Sequence, residues 1–140
     1  GAGDRARYRT AVRVTSVWAL VFAAGFAVFY ALVGGLVIDA ITDVEPVRAA
    51  ARDYLPWAVV LPLISVWSFQ LDGIFIGATR GPDMRNAMML STLAYIAALA
   101  VLVPWLGNHG LWLAFTVFMV ARAITLAALY PAIGRSIEIA

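Results

Sequence analysis

Asp72 and Arg122 are charged residues in stretches that offer almost nothing else charged. Asp72 lies in WSFQLDGIFIG and Arg122 in FMVARAITL, and both runs are otherwise uncharged. A carboxylate in apolar surroundings suits either of two tasks. It can take up a proton, a metal cation or a cationic ligand, because a medium of low polarity favours whatever cancels its charge. It can equally serve packing, by pairing with a guanidinium on another segment. Ser65, Ser68, Asp72 and Thr79 are spaced by three, four and seven, so on a helix they share one face. Gln70 adds an amide beside that face. Asp72, Gln70, Ser68 and Ser65 are therefore the candidates for cation coupling or for lining a cavity. Asp72 with Arg122 is the candidate structural ion pair. Gly73 and Gly77 form a GxxxG beside the polar face, a spacing that lets another helix approach closely.

Little other chemistry is available. Cysteine is absent, which excludes disulfides and thiolate metal sites. The single histidine, His109, sits in the turn-like GNHG, so no Ser/His/Asp set can be assembled. Neither a phosphate-cradling glycine loop nor a cluster of metal ligands is visible. No catalytic residue, metal or bound organic cofactor is expected. The few arginines read as signals at a membrane face rather than as a nucleic-acid site.

These side chains must be positioned by elements that suit lipid. Hydrophobic residues make up 64% of the chain and charged residues 13%, against about 45–50% and about 25% in soluble domains. A chain of 140 residues cannot hide that much apolar surface from water. Four apolar segments are predicted as transmembrane helices, over about 14–38, 55–79, 84–106 and 111–133. Each has roughly 20 or more residues, enough to cross a hydrocarbon core of about 30 Å. In lipid the backbone must satisfy itself, which makes each span a helix. The connections are short. Pro46 suits a first helical turn, with VRAAARDYL as a polar lead-in to the second span. Pro82 is expected to stop that span, Asp83 to cap the third, and GNHG to form a tight turn before the fourth.

Spans two and four run in the same direction. Asp72 lies eight residues before Arg80 and Arg122 nine before Pro131, or roughly 12 and 13 Å from that membrane face. One buried charge costs about 2.5–3.5 kcal/mol at the centre of an inserted helix. Two opposite charges at one depth can offset each other. The remaining arginines set the orientation. Arg5, Arg7, Arg9, Arg13, Arg80, Arg85 and Arg135 share one side, and Arg48 and Arg52 lie on the other among Asp39, Asp43, Glu45 and Asp53. The positive-inside rule then places both termini in the cytoplasm. Tyr54, Trp57, Trp105 and Trp112 fall at the predicted outer interface, and Trp18 and Tyr130 near the inner one.

Longer stretches carry a family resemblance. FQLDGIFIGATRGPDMRNAM, followed by LVPWLGNHGLWLAFTVFMVARAITL, resembles the C-terminal portion of the multidrug and toxic compound extrusion (MATE) family, in its DinF-like branch. GAGDRARYR looks like the link after that family's eighth helix, and TDVEPVRAAARDYLPW is similar to its outer loop into helix ten. The resemblance implies an all-α polytopic membrane protein of the bacterial cytoplasmic (inner) membrane. Its four helices would match nine through twelve of a twelve-helix fold, as part of the C-terminal six-helix lobe. Residues 1–140 would then be a single transmembrane unit of a larger transporter, and a start at Gly1 rather than methionine fits a fragment.

Such transporters export small cationic or amphipathic compounds in exchange for protons or sodium ions, by alternating access. The implied partners are the lipid bilayer and the remaining helices of the parent transporter or a companion chain. The DinF-like branch keeps its best-supported coupling acid in the other lobe. Sodium-coupled relatives use an acid of helix ten, the helix that matches Asp72, which lies about one turn nearer the cytoplasm. Two other readings stand beside this one. A self-contained four-helix exporter working as a dimer would carry a glutamate in its first helix, and residues 14–38 hold no acid. A non-transporting scaffold or partner subunit would use its polar face to bind a companion chain.

Overall fold

The computed structural model describes the backbone of residues 5–138 and the side chains of residues 6–133. Four helices account for nearly all of it: α1 (Arg5–Ile41), α2 (Glu45–Gly77), α3 (Gly81–Leu106) and α4 (Asn108–Glu138). No strand occurs among the described residues. The shortest helix has 26 residues, roughly 39 Å at about 1.5 Å per residue. All four are long and apolar enough to cross a bilayer. The chain is an all-α polytopic membrane protein.

The helices pair as two hairpins, α1 with α2 and α3 with α4, and α2 joins the hairpins by packing on α4. Tyr8, early in α1, stacks on Tyr130, late in α4, with ring centroids 6.4 Å apart. Tyr54 of α2 meets His109 at the opposite end of the bundle, at 4.8 Å. The first helix therefore begins at the end where the last helix finishes. Apolar burial cannot drive association in lipid, where acyl chains are as apolar as leucine, so close packing must. The α1–α2 seam shows this. Ala23 and Ala27 are buried in it, and the Leu55 side chain lies directly against Gly34. At the terminal end Phe75, Ala87, Leu126 and Ile133 form a buried cluster that joins α2, α3 and α4.

Helix boundaries differ from the sequence reading in several places. α2 starts at Glu45 instead of near residue 55, because Pro46 opens the first turn and VRAAARDYL has high helical propensity. It runs unbroken through Pro56 and Pro62 to Gly77. Thr79 lies beyond its end with φ +56°, so the polar face stops at Asp72 and Thr79 is not part of it. Pro82 does not stop α2; it sits in the first turn of α3, where a missing N–H costs nothing. Asp83 is not the cap of α3. The cap is Arg80, without a side-chain bond, and Asp83 within the first turn pairs with the Arg80 Nε at 2.6 Å. A carboxylate there still meets the positive end of the helix dipole.

The GNHG segment is not a four-residue turn. Gly107 alone separates α3 from α4, at φ +55°, a conformation that favours glycine. Gly110 is already helical. A Cβ on it would lie 2.3 Å from the Leu102 carbonyl oxygen, so only glycine lets α4 begin that close to α3.

Candidate functional site

Asp72 and Arg122 meet. Arg122 Nε donates to Asp72 Oδ2 at 3.0 Å and to Oδ1 at 3.2 Å, and Nη2 donates to Oδ1 at 2.8 Å. Nη1 is directed at the Met88 sulfur of α3. The guanidinium fork thus engages the carboxylate through two nitrogens, the geometry that makes arginine–carboxylate pairs strong and directional. The two side chains are 12% and 17% exposed. Their level meeting follows from the sequence: both helices run the same way, and each charge sits two to three turns above the same membrane face. One neutral unit on three helices replaces two separately costly charges.

Ser65 and Ser68 lie on the same side of α2 and are buried. The Ser65 hydroxyl donates back to the Leu61 carbonyl at 2.8 Å, the usual way to satisfy serine in an apolar helix. Ser68, one turn from Asp72 and fully enclosed, has no hydrogen-bond partner for its hydroxyl among the described residues. Gln70 points elsewhere. Two residues from Asp72 means about 200° around the helix. Its Nε2 donates to Thr15 Oγ1 at 2.7 Å and to Ser16 Oγ at 3.1 Å, both on α1. Asp72 therefore ties α2 to α4 while Gln70 ties α2 to α1.

The four candidate cavity residues do not share one cavity. Gln70 lines a cleft of about 710 Å³ between α1, α2 and α4, with Ser16, Trp67, Ile124 and Tyr130. Ser65 lines a groove of about 550 Å³ between α1 and α2, walled by Phe22, Phe26 and Phe69. Asp72 and Ser68 line neither. A Cβ on Gly73 or Gly77 would meet nothing within 4 Å, so among the described residues the GxxxG faces open space.

Two constellations lie outside the sequence reading. At one end of the bundle, Trp57 Nε1 donates to His109 Nδ1 at 3.1 Å. The His109 ring sits among Tyr54, Trp57 and Trp112. The sequence assigns these aromatics to one interface, but no spacing links residue 57 to residue 109. At the same end, Arg48 closes the α1–α2 turn. Its Nε donates to the Thr42 carbonyl at 2.7 Å, and its Nη2 to the Asp39 carbonyl at 3.0 Å and to Asp43 Oδ1 at 3.1 Å. Arg52 pairs with Asp39. The last turn of α1 has no basic residue of its own, and Arg48 supplies the donors that its unpaired carbonyls require.

Fold and site together define a class: a polytopic helical membrane protein with a neutralised ion pair inside its spans. Over 123 residues, 88% of this chain, the sequence is 43% identical to DNA damage-inducible protein F of Escherichia coli (strain K12). That relative is a member of the MATE family, and the identity supports a DinF-like MATE fragment. The chain spans about a quarter, 26%, of the length of the curated relative it matches. No family model matches the chain, and no solved structure does.

Proposed function

We propose that these residues work as part of a secondary active efflux transporter, one that exports cationic or amphipathic compounds against a proton or sodium gradient. The observation that carries the reading is the 43% identity sustained over 88% of the chain. The charge distribution supports a place in the bacterial cytoplasmic membrane with both ends inside. The arginine-rich flanks lie at the end where α1 begins and α4 finishes, and positive charge favours the cytoplasmic face.

The geometry supports a division of labour. Asp72 is already neutralised by a guanidinium, so a cation could occupy it only by displacing Arg122. Its role in this reading is to hold α2, α3 and α4 as one body while alternating access moves that body as a unit. The cleft beside Gln70 offers the apolar and aromatic walls that suit an amphipathic cation, with Trp67 and Tyr130 as π faces. The open face at Gly73 and Gly77 suits a helix from the rest of the transporter.

The test is export of a fluorescent lipophilic cation from cells that make the complete protein containing this chain. Export is expected to collapse when the proton and sodium gradients are dissipated. It is also expected to fall when Gln70→Leu or Trp67→Ala alters the cleft. Full membrane abundance without gradient-dependent export of any such compound would overturn the proposal and favour a scaffold.

A further inference from the structure

We propose that the Arg9–Arg13 end of α1 binds the phosphate headgroup of an anionic phospholipid. The inference needs only that α1 spans a bilayer, and it stands whether or not the protein exports anything.

Arg9 and Arg13 are one helical turn apart and face the same way, and both are exposed. Among the described side chains, the helical arginines of α2, α3 and α4 are otherwise engaged. Arg48 and Arg52 pair with carboxylates of the α1–α2 turn, Arg122 pairs with Asp72, and Arg85 lies on Asn86. No acidic side chain among the described residues pairs with Arg9 or Arg13. Beside Arg13 a groove opens along α1, lined by Thr10, Arg13, Val14, Val17 and Trp18. The Thr10 hydroxyl donates to the Ala6 carbonyl, which leaves Arg13 as the charged donor at the groove, with Arg9 one turn away along α1.

Position along the helix decides what that ligand is. Arg13 is the last charge before 25 uncharged residues, 14–38. When α1 crosses a bilayer, Arg13 is therefore at headgroup level. Trp18, five residues on, is roughly 7.5 Å deeper, where an indole prefers to sit. A lipid matches both halves of the site. Its phosphodiester meets the two guanidinium forks, which suit phosphate oxygens. Its acyl chain runs along Val14, Val17 and Trp18. A neutral or zwitterionic lipid leaves net positive charge unmatched, so the site discriminates by charge.

The experiment is native mass spectrometry of the protein released from nanodiscs of phosphatidylcholine mixed with phosphatidylglycerol. The wild type should retain phosphatidylglycerol in preference to phosphatidylcholine. At roughly fivefold in affinity per arginine, R9Q/R13Q should lose about 25-fold of that preference. W18A should weaken retention of both lipids while keeping the charge preference. R85Q, which also removes an arginine near that end of the bundle, should behave as wild type. Circular dichroism of each variant should match the wild type, because neither Arg9 nor Arg13 holds a helix in place. Unchanged preference in R9Q/R13Q would overturn the assignment. An R85Q loss as large as the loss per arginine in R9Q/R13Q would mean diffuse surface charge and would overturn it equally. A wild type without any preference would overturn it as well.

Discussion

Two groups of arginines and carboxylates tie this molecule together, and they use the same chemistry in different solvents. Inside the spans, Arg122 and Asp72 meet at 2.8 Å with side chains 12% and 17% exposed. At the α1–α2 turn, Arg48 meets Asp43 at 3.1 Å with side chains 24% and 102% exposed. The distances are alike; the consequences of a break are not. At the turn, water solvates whichever partner is left. Inside the spans, the partner left behind is an unpaired charge in an apolar medium. The worth of each contact is therefore set by what its loss exposes rather than by its length.

The contrast predicts a graded series of losses. D72L or R122L alone should cost about 3–5 kcal/mol, since each strands a buried charge; unfolding in detergent and steady-state membrane abundance report the loss. G110A should cost about 1–3 kcal/mol by forcing α4 away from the Leu102 carbonyl, read in the same unfolding assay. R48A should cost about 1 kcal/mol, and that cost should shrink in high salt, whereas the D72L cost should not respond to salt. A salt-independent R48A effect would blur the comparison, because it would mean that the backbone bonds to Thr42 and Asp39 outweigh the ion pairs. G73A and G77A should not destabilise these four helices, since their Cβ atoms enter open space, and the helical preference of alanine over glycine should add up to about 1 kcal/mol. A loss confined to a longer protein that contains this chain would locate a helix against that face.

Much of this was legible beforehand, for identifiable reasons. The four spans declare themselves through length and apolarity, which the bilayer imposes on any sequence. The Asp72–Arg122 pair was legible because two opposite charges at matched depth have few alternatives in lipid. Helix ends were less legible. The lead-in to α2 reads as a polar approach to the span with Pro46 suiting a first helical turn, and its alanines carry the helix back to Glu45. The demotion of Thr79 needed its backbone dihedral. The grouping of Asp72, Gln70, Ser68 and Ser65 as one candidate set hid a split. The amide of Gln70 serves α1, and the carboxylate serves α4. The Trp57–His109 bond was not legible at all, because it depends on how α2 meets the α3–α4 corner. Nothing local in either segment encodes that.

The central claim is that Asp72 and Arg122 act as one neutral unit within the membrane. A double-mutant cycle with D72N, R122Q and D72N/R122Q, read as unfolding free energy in detergent, tests it most directly. The account predicts that the double variant is more stable than either single one, with a coupling of about 2 kcal/mol or more. Additive losses, with the double variant the least stable of the three, would contradict it.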